Sequence, residues 1–460
     1  MESPKIFFAH LREMTERFDP RYVAFRRRTA EFRYPMVRLS ELLSALPEYG
    51  AGEAGIERTN IKQPRYIRIT DISDDGELSP ELGATAETVE AKYFLSDGDL
   101  LFARSGATVG KCYLHEKSRV GYPCFYAGYM IRMRLKPSIL PKYVFAFTQT
   151  SYYREWVASV QRSAGQPNIN AQEYCNLKIP VPPPEVQRQI VAELDAAYAA
   201  KRKADENATK LLASIDDMVL KELGIAKLPK PDTSLSSRIF TVPAREATNG
   251  RLDAYYYKSS FKELGKKLSC CNCVPFGSLI TEIYNGIDCR DYKERGVPYL
   301  KVANVKPGEF DFDDLKYIDL RELGAKDIAL RAGRMLLTRK GTFGNAIALS
   351  EDYDYAISSE VFCLSIKNEL VDVHYLETFV NSSIGRMLCD KYKIGTIMGS
   401  LSQEAVKALP IPLPDAKVQH RIASRASSIR TEARKLKANA SAAFDAVKRK
   451  IEEELIRKES

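Results

Sequence analysis

Histidine is nearly missing from this chain: four in 460 residues, His10, His115, His374 and His420, none at a spacing that pairs imidazoles on one metal. Tryptophan occurs once, as Trp156. Nine cysteines form an odd, scattered set. Secreted disulfide scaffolds are short and cysteine-dense, so reduced and mostly buried thiols are expected. The one cluster, Cys270-Cys271-Asn272-Cys273, holds a single Cys-x-x-Cys with no second pair to complete a zinc site, and no metal is expected. No stretch approaches the ~18 apolar residues of a membrane span. The opening Met1-Glu2-Ser3-Pro4-Lys5 leads into an apolar patch broken by His10 and Arg12, unlike a signal peptide, so a cytoplasmic protein without a membrane partner is expected. Charge of one sign is also scarce: 69 Lys and Arg against 60 Asp and Glu leave a surplus of +9, enough to permit a polyanionic partner but not to establish one.

Catalytic constellations are absent as well. Gly106-Ala107-Thr108-Val109-Gly110-Lys111-Cys112 resembles a P-loop, but three residues separate its glycines where four are required, and Cys112 replaces the magnesium-binding hydroxyl. A tight turn between two strands explains it better. Asp415-Ala416-Lys417 could end a nuclease motif, yet it stands at a helix start, where Asp415 suits an N-cap. Neither a glycine-rich cofactor loop after a strand nor an Asn/Asp-Pro-Pro-aromatic motif is present, and no Ser/His/Asp or Cys/His arrangement recurs. The chain reads as a binder with no catalytic residues.

What the sequence does contain is itself, twice. With 45% hydrophobic and 28% charged residues it has globular composition, and its length suggests roughly two to four folding units. Arg17-Phe18-Asp19 matches Arg251-Leu252-Asp253, and Arg65-Tyr66-Ile67-Arg68-Ile69 matches Pro298-Tyr299-Leu300-Lys301-Val302. Leu100-Leu101-Phe102-Ala103-Arg104-Ser105-Gly106 parallels Met335-Leu336-Leu337-Thr338-Arg339-Lys340-Gly341. Leu177-Lys178-Ile179-Pro180-Val181-Pro182 parallels Leu409-Pro410-Ile411-Pro412-Leu413-Pro414, and the runs lead into Val186-Gln187 and Val418-Gln419. A repeat of about 233 residues is a duplicated module, far longer than a solenoid period.

Each copy begins as a mixed segment. Tyr66 to Ile69, Asp99 to Ala103 and Tyr129 to Leu135 read as strands, and Pro141 to Val160 as a helix matched by Asp372 to Met387. After the prolines both copies turn helical. Apolar or small residues recur at Ile190, Leu194, Ala197, Ala204, Ala208, Leu211, Ile215 and Met218, with Lys201 in the vacant slot. The second copy places Ile422, Ala426, Ile429, Leu436, Ala440, Ala443 and Val447 in register, with Ala433 in its vacant slot. Such steps of three and four make a heptad seam. Two helices of about 40 residues, each roughly 60 Å long at 1.5 Å per residue, would pair antiparallel with one globule near each end. Packing of each helix on its own globule is the simpler alternative. The boundaries expected are a domain at 1–183, a long helix at 184–224, a Pro-rich linker at 225–238, a second domain at 239–414 and a second helix at 415–460.

The residues with binding potential lie in turns that both copies share. Arg104 beside Ser105 and Arg339 beside Lys340 each precede a glycine, where backbone N–H groups and a guanidinium suit phosphate; a solvated turn arginine is the plain alternative. Gln166 and Asn168 stand in an amide-rich loop, and amides can pair with adenine in the major groove, although amide-rich loops are also good turns.

The duplicated module, its Arg-x-Asp opening, the Leu-Leu-x-x-Arg-x-Gly-x-x-Gly turn and the Ile-Pro-x-Pro…Val-Gln-x-x-Ile passage (Ile179 to Ile190, Ile411 to Ile422) together resemble the DNA-specificity subunit of type I restriction–modification systems. The resemblance covers nearly the whole chain. One departure is valine where the family usually has glutamate before the glutamine. The resemblance implies an α+β fold: two homologous target-recognition domains separated by an antiparallel coiled-coil spacer, with pseudo-two-fold repeat. It implies double-stranded DNA as ligand, read in two parts. It also implies two DNA methyltransferase subunits and restriction/translocase subunits as partners, with S-adenosylmethionine, ATP and Mg on those partners and no cofactor here. Candidate DNA contacts are Arg68, Arg104, Ser105, Thr108, Lys111, Gln166 and Asn168 in the first copy, and Lys301, Asn304, Arg339, Lys340 and Thr342 in the second. A coiled-coil adaptor with two protein-binding domains and no DNA role is the competing reading.

Overall fold

The computed structural model describes residues 20–27, 32–161, 167–227, 234, 239–245, 251–319, 321, 330–395 and 399–456. Most of the expected linker, 228–233 and 235–238, lies outside them, as do Gln166 and the first Arg-x-Asp. The chain forms two compact units: residues 1–204 with 437–460, and residues 205–436. Neither is continuous with the sequence boundaries expected, because each takes in part of both long helices, Pro184–Glu222 and Ala416–Leu455.

Within the first unit a four-stranded antiparallel sheet runs in the order Glu48–Tyr49, Met130–Met133, Leu100–Ala103, Cys112–Leu114. The second unit repeats that order with Ile280–Asn285, Val361–Ile366, Arg334–Thr338 and Ala346–Ala348. A second sheet in each unit, of four strands in the first and three in the second, contains a parallel pair, Arg65–Ile67 with Cys124–Tyr126 and Val297–Leu300 with Ala356–Ile357. The Pro-rich strands Lys178–Pro180 and Pro410–Pro412 each pair with only one strand, Met36–Arg38 and Cys273–Pro275. Proline has no N–H to offer a ladder, so it is confined to such edges.

The P-loop lookalike is the hairpin turn joining Leu100–Ala103 to Cys112–Leu114. Gly110 sits there at φ +90°, and a Cβ on it would lie 2.6 Å from a Val157 methyl. Only glycine meets both demands. Val157 belongs to a helical region expected to run unbroken from Pro141 to Val160, but the structure divides it into Pro141–Thr148 and Ser151–Val160. The second copy divides at the equivalent place, into Val373–Asn381 and Ser383–Tyr392. One hydroxyl causes each break. Thr150 donates to the Phe147 carbonyl at 2.7 Å and accepts from the Tyr153 N–H, and Ser382 does the same with Phe379 and Gly385. A side chain that caps the start of one helix competes with continuing the previous one.

The repeated Val-Gln pair has a structural role. Gln187 is buried, accepts the Leu140 N–H at 3.0 Å and donates to the Pro182 carbonyl at 2.9 Å. Gln419 accepts from Asp372 and donates to Pro414 at 2.8 and 2.9 Å. Each amide therefore ties the start of a long helix to the shorter helix of its globule. Asp415 caps the second long helix by accepting the Val418 N–H, and Gly224, at φ +66°, closes the first.

In the first unit the two helix segments run antiparallel, with Glu193 paired to Lys450 and Tyr198 against Phe444, ring centroids 4.6 Å apart. In the second unit Glu222 pairs with Arg421 and Arg425. Ile190, Leu194, Ala208 and Met218 of the seam are buried, as are Ile422, Ala426 and Ala433. Ala443 is not: it is exposed, and the neighbouring Phe444 is buried in its place, as Tyr198 is beside Ala197. Alanine is too short to fill the space, and each buried ring contributes about 1.5–3 kcal/mol. The polar interruption at Lys201 is also explained: Lys201 and Lys448 converge on Asp75, and the two ammoniums outweigh burial and hold its carboxyl below the usual range. All nine cysteines are free thiols and only Cys270 is exposed; burial pushes Cys112 and Cys389 up to about 12.

Candidate nucleic-acid interface

The ends of Leu100–Ala103 and Arg334–Thr338 deliver Arg104 and Arg339 to the same place in each unit. The Arg104 N–H donates to the Tyr129 carbonyl, and its carbonyl accepts the Ile169 N–H; Arg339 does likewise with Glu360 and Leu401. Ser105 bridges to Asn168 and Lys340 to Ser400. The arginine turn and the loop before the Pro-rich strand, far apart in sequence, are thus brought side by side twice.

Both arginines lack a carboxylate among the described residues. Arg104 lies over the Tyr49 ring at 4.8 Å, Arg339 lies over Phe362 at 5.2 Å, and the Nε of each is buried with no hydrogen-bond partner. Arg339 makes one long contact, 3.5 Å to the Ser359 carbonyl. Arginines nearby are paired: Arg132 and Arg134 with Glu48, Arg334 with the Tyr284 hydroxyl. A guanidinium laid on an aromatic face with its charge uncompensated is suited to an incoming anion.

The remaining candidates divide. Asn168 borders the Arg104 turn, and Ser105 beside it is buried with an unpartnered hydroxyl. Thr108 sits in the same turn, its hydroxyl 3.5 Å from the Ser105 carbonyl. Lys340 is half exposed, 3.8 Å from Glu360, and Thr342 is exposed while its carbonyl accepts from the Thr338 hydroxyl. Lys111 points elsewhere, bonded to the Ile72 carbonyl and paired with Asp74. Asn304 is only 2% exposed; it accepts from the Lys301 N–H and donates to the Asp311 carbonyl, so it holds a turn and has no amide group left to face a ligand. Asp71 does the equivalent work for Arg68, and that hydrogen-bonded carboxylate raises the arginine's pKa. Lys301 pairs with Asp314 and also lines the cleft that holds Arg339 and Lys340. The partners of these last four lie 3 to 39 residues away along the chain and are set by the fold.

Residues that sequence reasoning missed also line these places. Tyr129, 62% exposed, borders Arg104. In the second unit a cleft of about 370 Å³ is lined by Arg339, Lys340, Arg290, Tyr292, Ser358 and Glu360, among others. Tyr299 closes its floor by donating to the Ile287 carbonyl, and burial raises its phenol to about 12. Nothing in local sequence distinguishes an exposed tyrosine at a strand end from a buried one. Among the described residues no helix is long and apolar enough to cross a membrane, and no three His, Cys, Asp or Glu gather as a metal site.

Comparison with known proteins agrees with the duplicated architecture. The type I restriction modification DNA specificity domain matches residues 60–209 and 287–440, one segment in each copy. The EcoKI specificity subunit of Escherichia coli K12 is 23% identical over 347 residues, covering 73% of this chain and 68% of that protein. The MjaVIII specificity subunit of Methanocaldococcus jannaschii is 20% identical over 351 residues, covering 73% of each chain. A solved S subunit from M. genitalium aligns over 94% of this chain and 98% of its own, with 12% identity and a TM-score of 0.40. The family match spans both halves of the repeat, each with its strand-end arginine. The chain belongs to the type I restriction modification DNA specificity family.

Proposed function

We propose that the chain reads a two-part sequence on double-stranded DNA for a type I restriction–modification complex, and that it recruits methyltransferase and restriction subunits without catalysing a reaction itself. The observation that carries this reading is the pair Arg104 and Arg339: equivalent in position, stacked on a ring, and without a carboxylate among the described residues. Side chains retained in both copies while their neighbours change are the kind that position a duplex by its phosphates. Asn168, Ser105 and Thr108 in one unit, and Lys340 and Thr342 in the other, stand close enough to share that ligand. The helices Pro184–Glu222 and Ala416–Leu455 then act as the spacer that sets the gap between half-sites. Methyl transfer from S-adenosylmethionine and ATP-driven cleavage with Mg belong to two methyltransferase subunits and to the restriction subunits.

Binding of the full chain to duplexes at two salt concentrations tests the reading. Log affinity must fall linearly with log salt, by about 0.9 for each phosphate neutralised. Salt-independent or absent binding, alone and with the methyltransferase subunits added, would remove it and favour a protein-binding adaptor.

A further inference from the structure

The two copies share hydrogen bonds but not the side chains those bonds position. Because the Arg104 N–H meets the Tyr129 carbonyl and the Arg339 N–H meets the Glu360 carbonyl, Tyr129 and Glu360 are equivalent. The Ser105–Asn168 and Lys340–Ser400 bridges equate Ser105 with Lys340 and Asn168 with Ser400. Around one constant arginine the first unit therefore presents serine, tyrosine and asparagine, and the second presents lysine, glutamate and serine. Ser105 is buried, but the other differences reach the surface: Tyr129 is 62% exposed, and the Lys340 and Glu360 side chains are 44% and 47% exposed. Framework positions with comparable contacts, such as Gln187 and Gln419, do not differ.

On the DNA-reading assignment above, we infer that Lys340 and Glu360 form a base-pair reader for G·C in the half-site of the second unit, and that the first unit reads A·T at the equivalent position. The Lys340 Nζ and Glu360 Oε1 lie 3.8 Å apart, too far for a hydrogen bond, so each keeps its capacity for another partner. Together they set a cationic donor beside an anionic acceptor. The major-groove edge of a G·C pair is the complement: guanine offers N7 and O6 as acceptors, and cytosine offers its N4 amine as donor. An A·T pair puts the adenine amine before the ammonium and the thymine O4 before the carboxylate and is repelled; a T·A pair keeps the acceptor–donor order but sets a methyl where guanine offers N7, so the ammonium loses one of its two acceptors. Both groups edge the 370 Å³ cleft whose wall includes Arg339, so a phosphate on that arginine would bring the neighbouring base edges within their reach. In the first unit that donor–acceptor pair is missing. Asn168 there suits adenine N6 and N7, and the exposed Tyr129 ring suits the thymine methyl.

Selection of randomised duplexes by the full chain with its methyltransferase subunits, followed by sequencing, tests the assignment. The wild-type protein should favour G·C roughly ten-fold at one position of one half-site. Lys340→Ser with Glu360→Tyr, which installs the first unit's residues, should abolish that preference and leave the other half-site unchanged. Lys340→Glu with Glu360→Lys should invert it to C·G, a gained specificity that a misfolded protein cannot produce. Selective binding in which both variants keep the wild-type preference would overturn the base assignment while leaving the DNA-reading function intact. Wild-type protein that retains no duplex at low salt would overturn that function itself.

Discussion

Replacing Arg430 by methionine should loosen the second unit by about 3 kcal/mol. Arg430 lies on the long helix Ala416–Leu455, 2.8 Å from Glu377 on the helix Val373–Asn381. Glu377 is 2% exposed, and among the described residues its one other hydrogen-bond partner is the Asn381 amide at 2.8 Å. The Gly308 backbone covers the pair so closely that a Cβ there would lie 2.5 Å from the Arg430 guanidinium carbon. Removing the arginine strands a carboxylate in low dielectric, which costs about 3–5 kcal/mol; the guanidinium is 16% exposed, so the lower end applies. Burial already raises the Glu377 pKa above its ordinary 4.5 despite Arg430, and losing Arg430 raises it further. A carboxyl with a raised folded pKa binds more protons folded than unfolded, so stability must fall as pH rises from about 4.5 through the folded value. The variant's deficit should therefore shrink on acidification. Hydrogen exchange of the full chain, resolved by peptide, measures this: amides of 373–381 should open roughly 150-fold more often at neutral pH. Adding Glu377→Gln should recover at least half of the loss. Unchanged exchange in this helix, or a deficit that grows at low pH, would refute the argument.

Four other outcomes follow from the same contacts. Arg104→Ala and Arg339→Ala should each weaken duplex binding uniformly across sequences and lower the salt slope by about one; titration against specific and random duplexes checks both. Gln187→Leu and Gln419→Leu should each cost about 1–3 kcal/mol in chemical denaturation, because each leaves a buried N–H and C=O unpaired. Gly110→Ala should cost about 1–3 kcal/mol, since φ +90° and a Val157 methyl 2.6 Å from the new Cβ both oppose it, as a lowered melting temperature would show. Inserting one heptad after Ala208 and another after Ala440 should lengthen the preferred gap between half-sites by about three base pairs, read by methylation of a library of gap lengths; an unchanged gap would show that the helices do not set it.

The sequence by itself determined the duplication, the strand cores, the Pro-rich edge strands and the two long helices. These follow from periodicity and from proline and glycine, whose constraints act within a few residues. The arginine turns were legible for the same reason: Leu-Leu-x-x-Arg-x-Gly is a strand, its end and its reversal. Tertiary structure decided what each polar side chain faces. Lys111 and Asn304 resemble Lys340 and Asn168 in sequence, yet the first two are held by Asp74 and the Asp311 carbonyl, while Asn168 and Lys340 border an open arginine turn and Lys301, though paired with Asp314, lines the Arg339 cleft. It likewise decided that Phe444, one step off the heptad, fills the space beside Tyr198, and that Thr150 and Ser382 end one helix and begin another. Hydrophobic burial is non-directional and leaves a periodic trace along the chain. Hydrogen bonds and ion pairs are directional and are made between elements, so their partners exist only once the fold has placed them.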